Sequence, residues 1–296
     1  DGENYYDIGV TRTTDKVDDM FSYGNDLYCS NDTDSYLRVA ISTADGAIAD
    51  TDTTIDLRAG DGGLFASGGG TIYIRGDDIT YTGVSGDQLT GVSGVQSGGH
   101  PDGSVVTQTS TPSGAPKGVC IGELENSILV GRNHTLHYSG PSTNDDPEFA
   151  YDFTDNGAGA KLMPHTILGL GQVKGGVLIG MDRGIDYALS FDLDSGGLLS
   201  RQVTRDHGIS NCFAFAQTER ATYVLTNTKR ILPIVSDGVN ITILDDPNEP
   251  FDLPVRAFLE SSDEDQSLSF THYDPVRREV SFSILVDGIS KELVYQ

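Results

Sequence analysis

Tryptophan is absent from the 296 residues, cysteine and methionine occur three times each, and lysine occurs six times against thirteen arginines. Without tryptophan the chain lacks the usual sugar-stacking side chain, a role left to Tyr and Phe. Cys29, Cys120 and Cys212 are odd in number and far apart, which argues against a disulfide framework and CxxC metal chemistry and leaves reduced, partly covered thiols. No stretch approaches the roughly 18 consecutive apolar residues of a membrane span. The opening DGENYYDIG has no signal-peptide pattern, so a soluble chain without membrane insertion is expected. The first residue is not Met, which fits processing or numbering that begins inside a longer product. Basic residues are scarce as well: 44 Asp and Glu face 19 Lys and Arg, a net charge of −25. A surface of that sign repels phosphate, so neither nucleic acid nor an anionic membrane is an expected partner.

The acids divide into 34 Asp and 10 Glu. Short carboxylates with few long ammonium stems are the composition expected of a halophilic protein, where salt screens self-repulsion. Strong acidity also accompanies disorder, but 37% of the residues are hydrophobic, 13 are Tyr and 11 are Phe, and many stand in alternating runs. The chain is therefore expected to fold. At roughly 150 residues per domain the length suggests about two domains, although an all-β domain uses about 200 to 250 residues by itself. Either way a full core is possible.

Amphipathic helical periodicity is almost missing, whereas alternating or β-branched runs recur between Gly, Asp, Asn and Pro, the pattern of an all-β chain. Expected strands include Asp26 to Cys29, Tyr36 to Ser42, Thr71 to Ile74, Ile79 to Thr82, Ser127 to Gly131, Ala221 to Asn227, Val239 to Leu244, Ser267 to Asp274 and Lys291 to Tyr295. The best-defined unit is GGGTIYIRGDDITYTGVSGDQLTGVSGVQSGGHPDGSVV, residues 68–106. Its first two strands flank Arg75-Gly76-Asp77-Asp78, where Gly76 takes positive φ at little cost. TGVSG occurs at 82–86 and again at 90–94, placing a second hairpin around Gly86-Asp87. The expected core is Ile72, Ile74, Ile79, Tyr81, Leu89 and Val92.

This segment resembles a small β module of tail and baseplate proteins of tailed phages. That module has the form G-x-I-x-I-x-x-E-x-I-x-Y-T-G-V-S-G-x-x-L-T-G-V, then a Gly-rich stretch and H-x-x-G-x-x-V, matched here by His100 to Val106. The usual Glu is Asp78, and the usual Arg-Gly after the second TGV is Ser93-Gly94, so a role of that Arg does not carry over to this chain.

Residues 110–118, STPSGAPKG, read as a linker. Beyond it, runs such as SILVGR, GVLIGMD, TYVLTN and VSFSIL each lead through a turn to a second run, in clusters spaced by roughly 40 to 50 residues, as in propeller blades. Tyr138-Ser139, Pro147-Glu148-Phe149, Leu178 to Gly180, Gly184-Ile185 and Gly208 to Cys212 resemble steps in propeller regions of the same phage proteins. The expected layout is an all-β, β-propeller-like fold with a small β-hairpin or barrel module inserted near the N-terminus. Residues 1–60 supply N-terminal strands of the propeller, 61–109 the module, 110–118 the linker and 119–296 the propeller-like region. The last strand is expected to close the ring by pairing with residues such as Asp26 to Ser42.

Candidate chemistry is sparse. A glycosidase needs two carboxyls at a set separation, one with a raised pKa. Ser190 to Gly196 approaches half of the sialidase-type Ser-x-Asp-x-Gly-x-Thr-Trp, but no Trp completes it. Acidic clusters at Asp145-Asp146, at Asp245-Asp246 with Glu249 and Asp252, and at Asp263-Glu264-Asp265 offer oxygen ligands for Ca²⁺ or Mg²⁺ without an EF-hand order. Solvated loop acids are the plainer reading. Of His100, His134, His137, His165, His207 and His272, only His134 and His137 lie three apart, and strand spacing sends them to opposite faces. Gly169 to Gly175 has one residue too many for a dinucleotide loop. Sequons stand at Asn31, Asn133 and Asn240.

No catalytic, cofactor-binding or metal residue is therefore expected. The resemblance implies a non-enzymatic structural virion protein of a tailed haloarchaeal virus, located in the tail, baseplate or hub and assembled in the host cytoplasm. Its partners would be other virion proteins, copies of itself and a host surface glycoprotein. The alternative is a propeller-type glycan-binding protein or glycosidase acting on surface glycans.

Overall fold

The computed structural model describes residues 19–23, 26–34, 37–111, 114–140, 153–154, 157–192, 197–244, 251–263 and 266–295. Of the sequence features above, the opening segment 1–18, Tyr36, Asp145-Asp146, Pro147 to Phe149, Leu193 to Gly196, Asp245-Asp246, Glu249 and Glu264-Asp265 lie outside the described residues.

Period-two alternation is realised as antiparallel strands. The chain begins β1 (Asp19–Tyr23), β2 (Asp26–Ser30) and β3 (Leu37–Thr43). It then leaves this sheet for β4 (Thr54–Asp56), β5 (Gly70–Ile74), β6 (Asp77–Tyr81), β7 (Gly83–Ser85) and β8 (Gln88–Thr90), and returns as β9 (Val105–Ser110). β9 pairs with β3 from Arg38↔Ser110 to Thr43↔Val105, and also meets β5 at Tyr73↔Thr107. One six-stranded sheet results, ordered β1-β2-β3-β9-β5-β6, beside a small sheet β4-β8-β7. Between them lie all six residues expected in the module core, together with Ile55, Leu57, Phe65 and Val106. The motif histidine, His100, is buried with its Nε2 3.1 Å from Asp77 Oδ2.

The rest of the chain builds consecutive meanders. β10 (Cys120–Leu124), β11 (Ser127–Arg132), β12 (Thr135–Tyr138) and β13 (Gly159–Leu162) form the second sheet. β14 (Ile167–Val173), β15 (Gly176–Met181), β16 (Ile185–Phe191) and β17 (Leu198–Thr204) form the third. β18 (Phe215–Gln217), β19 (Thr222–Leu225), β20 (Ile231–Ser236) and β21 (Ile241–Ile243) form the fourth, and β22 (Phe270–Asp274), β23 (Glu279–Val286) and β24 (Ile289–Tyr295) the fifth.

The first strands of successive sheets pack against one another in chain order, β1 on β10, β10 on β14, β14 on β18 and β18 on β22. Apolar layers fill the spaces between sheets: Tyr28 with Ile121 and Val130, Leu129 and Leu136 with Ile167 and Ile179, Leu178 and Tyr187 with Val224 and Leu232, and Leu225 and Ile231 with Phe282 and Ile284. Radial meanders around shared inner strands make this an all-β, propeller-like fold.

The expected ring closure by the last strand differs from what forms. β24 pairs with β23 from Val280↔Tyr295 to Val286↔Ile289, while Asp26–Ser30 is flanked by β1 and β3. The cause is local. Asp287 and Gly288, at φ 54° and 70°, form the two-residue turn with both central residues left-handed that matches strand twist and folds β24 back on its neighbour. A short helix unforeseen from periodicity, α1 (Arg256–Glu260), follows the buried Asp252. That carboxylate accepts from Arg230 Nε at 2.6 Å and Arg256 Nη2 at 2.7 Å, tying α1 to β20.

Candidate functional site

Asp19 at the head of β1 lies opposite Ser30 at the tail of β2, and residues 119, 168, 211–213 and 267–272 lie at or just before the heads of β10, β14, β18 and β22. The six-stranded sheet and the four meanders thus all contribute to one end of the inner strands. There they surround a cavity of ≈ 830 Å³ lined by Asn31 and Asp32, Val119, Leu168, Asn211 to Phe213, and Ser267 to His272. Leu268 and Phe270 stand 74% and 48% exposed on its rim, the apolar edge of a largely apolar mouth.

The lining is fixed by polar side chains working on backbone. Asn211 donates its amide to Gln266 O at 2.8 Å and Ser269 O at 2.8 Å, and accepts the Phe213 N–H at 2.8 Å. Thr271 returns its own N–H to Phe213 O at 2.8 Å. Asn31 is buried, and its Oδ1 accepts the N–H groups of Thr33 and Asp34 at 2.8 and 2.6 Å. Asn31, one of the three sequon asparagines, is thus a turn-former whose Nδ2 donates to Asp34 Oδ2 at 3.0 Å.

Beside this mouth Asp19 accepts the Ile121 N–H at 2.8 Å. Desolvation pushes its carboxyl up to about 7, against the opposing pull of the Ile121 and Met20 N–H groups. Burial, with the Asp19 charge nearby, drives the Cys212 thiol up to about 12 and raises that of the buried Cys120 well above its ordinary value. Both sulfurs are protonated and poorly nucleophilic at neutral pH.

The other candidate residues are dispersed. Asp263 accepts the N–H groups of Asp287 and Gly288 at 2.9 and 2.8 Å, so it caps the last hairpin. Asp252 holds two arginines. His134 sits in the β11–β12 turn rather than on a strand, because Asn133 takes φ 50° there, while His137 is on β12 with its pKa lowered first by burial and then by Arg132. Gly169 to Val173 are strand β14, not a phosphate loop. A Cβ on Gly171 would strike the Phe215 ring at Cγ, 2.5 Å away, so the glycine is there to admit that side chain. Among the described residues, no group of three or more His, Cys, Asp and Glu is placed to hold a metal ion, and no helix is long and apolar enough to cross a membrane. The mouth itself was not legible from motifs, because its lining comes from short segments far apart in the chain, in loops and at strand heads.

The arrangement defines the chain as an all-β, propeller-like protein with an axial apolar mouth. No family model and no curated protein matches it. Among solved structures it is similar to the β-propeller domain of Cps50 (Swd1) from Myceliophteria thermophila, at 9% identity and a TM-score of 0.32, covering 86% of this chain and 82% of that one.

Proposed function

We propose that the chain is a structural protein of a tailed virus infecting a halophilic archaeon, placed in the tail, baseplate or hub. It acts through surfaces that contact other virion proteins, further copies of itself and the host surface, and not through catalysis. The observation that carries this reading is the TGVSG segment. The residues that give it its resemblance to the phage module are the ones that build its core, and β9 joins that module to the first sheet through a six-residue register. A module joined in this way is presented rigidly, as a particle component requires. The axial mouth supports the same reading, since an apolar floor with Leu268 and Phe270 on its rim suits insertion of a neighbour's apolar side chain. Mass spectrometry of gradient-purified particles tests the proposal. A constant ratio of this chain to the other particle proteins is expected, and its absence from intact particles overturns it.

A further inference from the structure

We propose that a second cavity, between the fourth and fifth sheets, binds an acidic sugar: a pyranose ring carrying a carboxylate. The cavity, ≈ 290 Å³, is lined by Arg220, Arg278, Tyr223, Tyr273 and Tyr295, with Thr218, Glu219 and Val280. Two kinds of recognition meet there. Guanidinium groups grip a carboxylate through paired N–H donors, and tyrosine faces cover the apolar C–H face of a sugar ring in a chain that has no Trp to do so.

The cationic pair is notable in a protein of net charge −25. Arg38, Arg58, Arg205, Arg230, Arg256 and Arg277 are each paired with an aspartate. Arg220 and Arg278, like Arg75, Arg132, Arg183 and Arg201, have no carboxylate partner among the described residues, and these two line one opening. Each is held by its loop. Thr218 Oγ1 accepts the N–H groups of Arg220 and Ala221 at 3.2 and 3.1 Å. Asp274 Oδ1 accepts those of Val276 and Arg277 at 2.8 and 3.1 Å, and the turn ends with Arg278 at φ 57°, a left-handed conformation that a non-glycine residue adopts at a cost.

The aromatic wall is equally ordered. Tyr223 and Tyr295 have ring centroids 5.8 Å apart, and Phe251 packs against both at 5.4 and 4.9 Å. Burial, then Tyr295, raises the Tyr223 pKa while Arg220 opposes them, so the phenol stays a donor beside the guanidinium. A polyanion such as nucleic acid would meet the acidic surroundings, whereas a single carboxylate meets two arginines against the one acidic residue of the lining, Glu219. The aromatic wall distinguishes a sugar acid from a bare anion. This site does not depend on the particle assignment: it is tested on the isolated chain, whatever the particle contains.

Saturation-transfer NMR on the full chain, at one salt concentration where it is folded, would use glucuronate, glucose and inorganic sulfate as probes. Glucuronate is expected to bind with a dissociation constant near ~1 mM, glucose to give no transfer, and sulfate at equal concentration to leave glucuronate bound. Arg220→Ala with Arg278→Ala is expected to weaken glucuronate about tenfold, as is Tyr295→Ala, while the exposed Arg132→Ala has no effect. Arg220→Lys with Arg278→Lys keeps the charge, guards against misfolding of the alanine pair, and is expected to weaken binding because the fork is lost. No transfer from glucuronate, equal transfer from glucose, displacement by sulfate, or unchanged affinity in either arginine pair variant would each overturn the proposal.

Discussion

Asn211, in the loop before β18, donates its side-chain amide to the Ser269 carbonyl ahead of β22, 2.8 Å away and in the next sheet. With the matching bond to Gln266 O, one residue fixes the loop that forms the exposed rim of the axial mouth. Asn211→Ala removes a donor from each of those carbonyls and the acceptor of the Phe213 N–H. A loss of about 1–3 kcal/mol is expected. A chemical-denaturation midpoint equal to that of the parent protein would show that the bonds carry no weight.

Asp252 is the buried carboxylate that joins α1 to β20. Burial opposes its ionisation, but the Arg230 and Arg256 hydrogen bonds together hold its pKa below the ordinary value. Such a group stabilises the fold above its unfolded pKa, and the contribution is lost as pH falls through the folded one. Asp252→Asn strands two arginines and is expected to cost about 3–5 kcal/mol at neutral pH. The check is a pair of urea titrations at pH 7.

Asp19 has the opposite sign. Its folded pKa, about 7, lies above the ordinary 3.8, so between those values the folded state binds more protons than the unfolded one. Stability therefore falls as pH rises through this window. Asp19→Asn keeps an acceptor for the Ile121 N–H and is expected to flatten the slope and to raise the melting temperature at pH 8. Parallel slopes for the two proteins from pH 5 to 8 would contradict the assignment.

The excess of short carboxylates predicts a salt requirement. Thermal stability is expected to rise between about 0.1 M and about 3 M KCl as repulsion is screened. A melting temperature that does not change with KCl would remove the halophilic reading.

Some of this architecture was legible from the sequence and some was not, for physical reasons. Ile72, Ile74, Ile79, Tyr81, Leu89 and Val92 were readable as a core because strand side chains alternate and the turn at Arg75-Gly76 fixes their register. The pairing of β3 with β9 was not, since alternation says which face is buried but not which distant strand lies alongside. Ser267 to Ser269 read as strand but form the loop held by Asn211, a side chain more than fifty residues earlier. The spacing of Gly169 to Gly175 excluded a dinucleotide loop, but not even that spacing shows why Gly169 and Gly171 are glycines: they are strand positions emptied for the Phe215 ring. Both candidate cavities escaped motif reading because no two of their sheets contribute adjacent segments.

The central claim is that this chain is a fixed component of a virus particle and acts by contact. An electron cryo-microscopy reconstruction of purified particles tests it most directly. The account predicts density for the five sheets and the TGVSG module at a symmetric position in the tail, with a neighbouring chain seated at the mouth rimmed by Leu268 and Phe270. Particles whose tail density is fully accounted for by other proteins, with none left for this fold, would contradict it.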